Sequence, residues 1–105
     1  MEIDLEAMSL EIITNVGTAR SMYVEAVQAA KEGDFEKAHS LIAEGEAMFV
    51  EGHKAHADLV NAEISEKDLG FMFLVMHAED QLMSAETLKI IADEFVELYE
   101  TVKKK

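Results

Sequence analysis

No proline occurs anywhere in this chain. Every residue after the first therefore keeps a backbone amide donor, and no pyrrolidine ring clashes with a preceding turn. Alanine, leucine, glutamate, lysine and methionine are abundant, which favours long helices. Two breaks divide the run. Gly33-Asp34 pairs a glycine suited to the position just past a helix end with an aspartate suited to capping the next helix. Ser65, with Asp68 three residues on, reads as a looser capping box of the Ser-x-x-Asp kind. The spacing predicts helices over 3–32, 34–63 and 66–101. Each would be roughly 40–50 Å long at about 1.5 Å per residue. Turns this short make consecutive helices antiparallel neighbours. The expectation is an all-α fold, one domain over residues 1–105 arranged as an up-down-up three-helix bundle.

Apolar periodicity agrees with that architecture. The first helix repeats at Leu5, Met8, Ile12, Ala19, Met22, Ala26 and Ala29. The second repeats at Phe35, Ala38, Ile42, Gly45, Phe49, Gly52, His56 and Leu59, where the small residues permit close helix approach. Steps of three and four make the seam of a bundle. The third helix carries two stripes. One runs through Phe71, Leu74, Ala78, Ala85, Leu88, Ala92 and Phe95, interrupted by Gln81. The other runs through Phe73, Met76, Asp80, Met83, Thr87 and Ile91. A three-helix protomer needs only one stripe for its own core. The spare one argues for self-association through the third helix.

Charge and composition exclude several classes of function. The formal net charge of −13 opposes binding to nucleic acid, whose phosphates need a basic surface, and to anionic membrane surfaces. Lys103-Lys104-Lys105 is the one basic cluster and suits a helix C-terminus. Without cysteine there are no disulfides, no thiolate chemistry and no zinc-thiolate site. The longest apolar run, Leu69 to Met76, is far short of the roughly 20 residues of a membrane span. No signal peptide is recognisable, so the expected location is the cytoplasm.

Chemistry concentrates in Val75-Met76-His77-Ala78-Glu79-Asp80-Gln81-Leu82-Met83. His77 falls between the two stripes of the third helix, on the rim of the expected subunit interface. An imidazole there can serve as nucleophile, base or metal ligand. Asp80 lies in the middle of the spare stripe. If identical helices meet about an axis, several Asp80 carboxylates converge, and a pair at ~4 Å repels by about 4 kcal/mol at an effective dielectric near 20. Protons, waters or a hard cation such as magnesium or calcium would relieve this. The plainer alternative is that Asp80 caps a helix or pairs with Lys89. His53 and His56, three apart, are candidate transition-metal ligands, although one core-facing and one exposed histidine is the simpler expectation. Glu36 and His39 have the Glu-x-x-His spacing of di-iron bundles, but only once. The methionines read as core filler, and Glu44, Glu46 and Glu51 as a solvated face.

Four segments together carry a resemblance. They are Gly17-Thr18-Ala19-Arg20-Ser21, Ala29-Ala30-Lys31-Glu32-Gly33-Asp34-Phe35, Leu74 to Met83 and Phe95-Val96-Glu97-Leu98-Tyr99. In this order and spacing the chain resembles the lactose/cellobiose-type enzyme IIA of the bacterial sugar phosphotransferase system over nearly its whole length. The resemblance implies a homotrimer of three-helix bundles. It implies that His77 is phosphorylated on Nε2 by the histidine-containing phosphocarrier protein and passes the group to a cysteine of enzyme IIB. It also implies that three Asp80 side chains share a divalent ion, typically magnesium, with no organic cofactor. Lactose, cellobiose, chitobiose and related disaccharides are all compatible sugars.

Two positions depart from the usual His-Ala-Gln-Asp-His-Leu-Met of that family: Glu79 replaces glutamine and Gln81 replaces the second histidine. Gln81 lies one turn from His77, whereas Glu79 lies across the seam, within reach of a neighbouring subunit's His77. A neutral amide can donate to a phosphoryl group, while a carboxylate repels it. His56 likewise stands where glutamine is common. The expectation is a cytoplasmic phosphocarrier. The rival is a trimeric regulatory or scaffolding protein derived from such carriers, with Glu79 as a permanent negative charge.

Overall fold

Asp4 opens the first helix, its carboxylate accepting the Ala7 backbone N–H at 2.9 Å. Such a cap satisfies one of the donors that a helix start leaves free. The computed structural model, which describes residues 4–62 and 71–103, contains three helices: α1 (Leu5–Lys31), α2 (Phe35–Asn61) and α3 (Met72–Lys103). All regular structure among the described residues is helical. The Ser65–Asp68 cap and the expected start of the third helix near residue 66 lie outside the described residues.

The turn between α1 and α2 follows from its sequence. Gly33 has φ +86°, a conformation that a side chain would strain. The Gly33 N–H donates to Ala30 O at 3.0 Å and the Asp34 N–H to Ala29 O at 2.9 Å, the paired bonds of a Schellman ending. Asp34 then caps α2 by accepting the Lys37 N–H at 3.1 Å. Lys103, at the far end of the chain, donates from Nζ to Lys31 O at 2.7 Å. Lys103 thus covers a carbonyl at the negative end of α1.

Cross-helix contacts relate the three elements. Arg20 meets Gln81 and Lys31 meets Lys103, so paired positions rise together in α1 and α3. His39 meets Glu100 and His56 meets Glu79, so paired positions run in opposite order in α2 and α3.

The core is small and rich in alanine. Leu5, Ile12, Val16, Leu59, Val75 and Leu82 cluster toward one end, Ala19, Tyr23 and Ala92 form the middle, and Ala26, Ala30, Ala38 and Val96 the other end. Each fully buried valine, leucine or isoleucine side chain contributes about 1.5–3 kcal/mol, and an alanine methyl less. The small residues of α2 work as expected. A Cβ at Gly45 would lie 2.6 Å from Tyr23 Cε1, and one at Gly52 would lie 2.7 Å from Val16 Cγ1.

The inner face of α3 differs from expectation. Its buried line is Val75, Ala78, Leu82, Ala85, Ala92 and Val96. Phe71 and Phe95, assigned to the core by periodicity, are 40 % and 43 % exposed. The buried line is rotated from the predicted stripe by roughly 45° at about 100° per residue. The reason is that α3 packs into the crevice between two helices, where small residues fit more deeply than phenylalanine. The second stripe is free of the protomer's core: Phe73 is 84 % and Met83 67 % exposed, and Met76, Asp80, Thr87 and Ile91 are exposed beside them. Ile90, Leu98 and Val102 extend that apolar surface toward the C-terminus.

Candidate functional site

Three polar features surround the second and third turns of α3, each on or against a different helix. His77 is exposed, on an uninterrupted stretch of α3. Gln81, one turn later on the same side, is half-buried, and its Oε1 accepts from an Arg20 guanidinium nitrogen at 2.7 Å. The Nε atom of Arg20 is shielded from solvent and has no hydrogen-bond partner among the described residues.

Glu79 sits on the opposite flank. Its Oε1 lies 3.3 Å from His56 Nε2 of α2. The sequence separates these residues by 23 positions, and only the α2–α3 packing joins them. Within the protomer the Glu79 carboxylate is engaged by α2. Of the histidine pair on α2, His56 is half-buried and His53 exposed, the simpler of the two expectations. His53 stacks obliquely on Phe49, with ring centroids 6.2 Å apart. His39 pairs with Glu100 at 3.1 Å rather than with Glu36.

Asp80 is exposed on the apolar outer face of α3. Lys89, its alternative partner, instead contacts Glu46 and Asp93, each at 3.7 Å. No group of three metal-ligating side chains occurs among the described residues. A hard cation at Asp80 fits the oxygen donor available, but one protomer brings a single carboxylate, so further ligands must come from other copies or from water.

A groove along the α1–α3 seam is lined by Arg20, Asp80, Met83, Ser84, Thr87 and Leu88, among others. A second groove on the same seam is lined by Gly17, Arg20, Ser21, Val24, Glu25 and Leu88. Arg20 belongs to both. Its role beside Gln81 was not legible in the sequence, because the two residues are 61 positions apart and Arg20 follows no local pattern.

In the middle of the core, Tyr23 is fully buried and its hydroxyl lacks a partner among the described residues. Burial, aided by the carboxylates of Glu46 and Asp93, pushes its phenol up to about 12. That group is neutral near pH 7 and supports packing.

Comparison with known proteins gives a consistent picture. Residues 7–100 match the sequence family described as PTS system, lactose/cellobiose specific IIA subunit. The lactose-specific EIIA component of the phosphotransferase system of Staphylococcus aureus (strain N315) is 35 % identical over 96 residues, covering 91 % of this chain and 93 % of that protein. The crystal structure of the cellobiose-specific enzyme IIA from Bacillus anthracis superimposes with a TM-score of 0.83 at 32 % identity, covering 100 % of this chain and 96 % of that one. The diacetylchitobiose IIA of Escherichia coli, solved in solution as a complex with HPr, also gives a TM-score of 0.83, at 27 % identity, with 97 % and 99 % of the chains covered.

Proposed function

The chain belongs to the lactose/cellobiose-specific IIA family of the phosphotransferase system, and on that basis we propose that it carries a phosphoryl group on His77 during sugar import. The observation that carries this reading is the exposed imidazole of His77 beside an amide held by Arg20, on the rim of an apolar face. The chitobiose relative solved with HPr supports a histidine phosphocarrier protein as the donor.

The reaction needs no dedicated base. Neutral imidazole is nucleophilic near pH 7. The Nε2 lone pair of His77 forms the new N–P bond as the bond from phosphorus to the donor histidine breaks, and the departing imidazole keeps that electron pair. In the second transfer a cysteine thiolate of enzyme IIB forms the S–P bond while the His77 N–P bond breaks. Geometry and charge placement supply the acceleration. Enzyme IIB and the carrier protein must present basic or apolar surface to this acidic protein.

The working assembly is a homotrimer of up-down-up bundles. The cross-helix pairings support the bundle arrangement, and the uncovered stripe from Phe73 to Ile91 supports association through α3. Asp80 lies at the centre of that stripe, where a divalent ion, magnesium by expectation, would neutralise converging carboxylates. The sugar is a disaccharide of the lactose, cellobiose or chitobiose type, and the protein works in the cytoplasm. The regulatory alternative reads Glu79 as a fixed negative charge, and within the protomer that carboxylate lies 3.3 Å from His56 Nε2.

Intact mass after incubation with phosphoenolpyruvate, enzyme I and HPr tests the reading. One acid-labile phosphate is expected, and none in His77→Ala. Uptake at the normal rate by that variant would remove His77 from the mechanism. No uptake from several bacterial donor sets would put the regulatory alternative first.

A further inference from the structure

We propose that Arg20 is a positioning residue for phosphoryl transfer: it locks the Gln81 amide so that its NH2 group, not its oxygen, is offered to the phosphoryl group on His77. The proposal rests on the reading of His77 as the acceptor and adds a second helix to the site.

Arginine has donors only, so the Gln81 atom it meets at 2.7 Å must be the amide oxygen. The amide is planar, and its NH2 group therefore lies on the edge turned away from Arg20. A glutamine amide otherwise rotates through a broad, roughly two-fold torsion, and either edge can face outward. Gln81 follows His77 by one helical turn on the same side of α3. Side chains on a helix lean toward its N-terminus, which carries Gln81 back over the turn holding His77.

These constraints combine to a chemical consequence. A phosphorylated His77 bears oxygens that only accept hydrogen bonds. With the oxygen of Gln81 held by Arg20, the NH2 group can donate to one of them. Without Arg20 the amide can flip and set oxygen against oxygen. The Nε of Arg20 is shielded from solvent, with no partner among the described residues, while its Nη1 donates to Gln81 Oε1.

Phosphoramidate, a small chemical phosphodonor, allows the test without any protein partner. The full-length protein is treated at a fixed ratio of phosphoramidate to ammonia, and phospho-His77 is followed as the 31P resonance absent from His77→Ala. Wild type should show a downfield move of the Gln81 side-chain amide protons on phosphorylation, and Arg20→Met a smaller one. The ratio of phosphorylated to free His77 should fall about 3- to 10-fold in Gln81→Leu, the size expected for one such hydrogen bond, and about 2- to 3-fold in Arg20→Met, which leaves the amide free to rotate. The double variant should be no lower than Gln81→Leu alone, and Arg20→Lys, which keeps a donor, should recover part of the loss. That lysine variant carries the test if Arg20→Met does not fold. An unchanged ratio and amide shift in the arginine variants, or losses that multiply in the double variant, would overturn the proposal. Failure of the carrier reading is separate: wild type would take no phosphate from HPr yet behave as above with phosphoramidate.

Discussion

Nε2 of His56 on α2 lies 3.3 Å from Oε1 of Glu79 on α3, so the carboxylate nearest in sequence to His77 is drawn to the opposite flank of its helix. Both residues stand where the resemblance led to an expectation of glutamine, and the structure joins them. Their contact provides a local partner for a negative charge close to the proposed phosphoryl site.

That pairing makes a measurable prediction. Glu79 is about half exposed, so solvent screens the interaction and its worth is small. A double-mutant cycle with His56→Ala and Glu79→Ala in urea unfolding should give a coupling of about 0.2–1 kcal/mol. A coupling of zero at low salt would mean that the two side chains do not hold each other.

The glycines of α1 and α2 should respond in opposite ways. Gly45→Ala places a methyl 2.6 Å from the buried ring of Tyr23, which has no room to retreat. The expected loss is about 1–3 kcal/mol despite the gain in helix propensity. At Gly17 an added Cβ meets nothing within 4 Å, so Gly17→Ala should stabilise the protomer by roughly 0.5–1 kcal/mol. Thermal unfolding of the two variants in parallel checks both signs.

Tyr23 predicts an alkaline weakness. Its phenol titrates near 10.0 in the unfolded chain and about 12 in the folded one. Between those values the unfolded state has released a proton that the folded state keeps, so stability falls as pH rises through this window. The contribution is flat below it. The loss should approach about 2–3 kcal/mol at the upper end. Urea unfolding at pH 9 and pH 11 should show a steeper decline for wild type than for Tyr23→Phe. Near neutrality that substitution should be neutral or slightly stabilising, because it removes a buried hydroxyl without a partner among the described residues.

Asp80 tests the proposed assembly. If carboxylates converge where α3 helices meet, Asp80→Leu removes the repulsion and extends the apolar face. Sedimentation should then find trimers that ignore chelators, while wild-type trimers weaken when divalent ions are removed. Dissociation of the Asp80→Leu protein into monomers would assign the ion a cohesive role instead.

Much of the fold was legible in the sequence because its causes are local. The absence of proline, the Gly33-Asp34 turn and steps of three and four in the apolar pattern depend on backbone chemistry and helical period alone. They set the number and order of the helices, and they left the stripe from Phe73 to Ile91 without an internal partner. His77 and Asp80 stood out for the same reason, as polar groups at defined angles on an apolar helix.

The inner line of α3 and the partners of the site were decided by packing. Periodicity favoured Phe71 and Phe95 by size, but the crevice between α1 and α2 takes Val75, Ala78, Leu82 and Val96 instead. No local rule links Arg20 to Gln81 or His56 to Glu79, since each pair spans two helices and forms only when they dock. The sequence by itself determined which elements form and which residues can do chemistry. The tertiary structure decided which way those residues are held, because a side chain's hydrogen-bond partner depends on its neighbours in space and not on its neighbours in the chain.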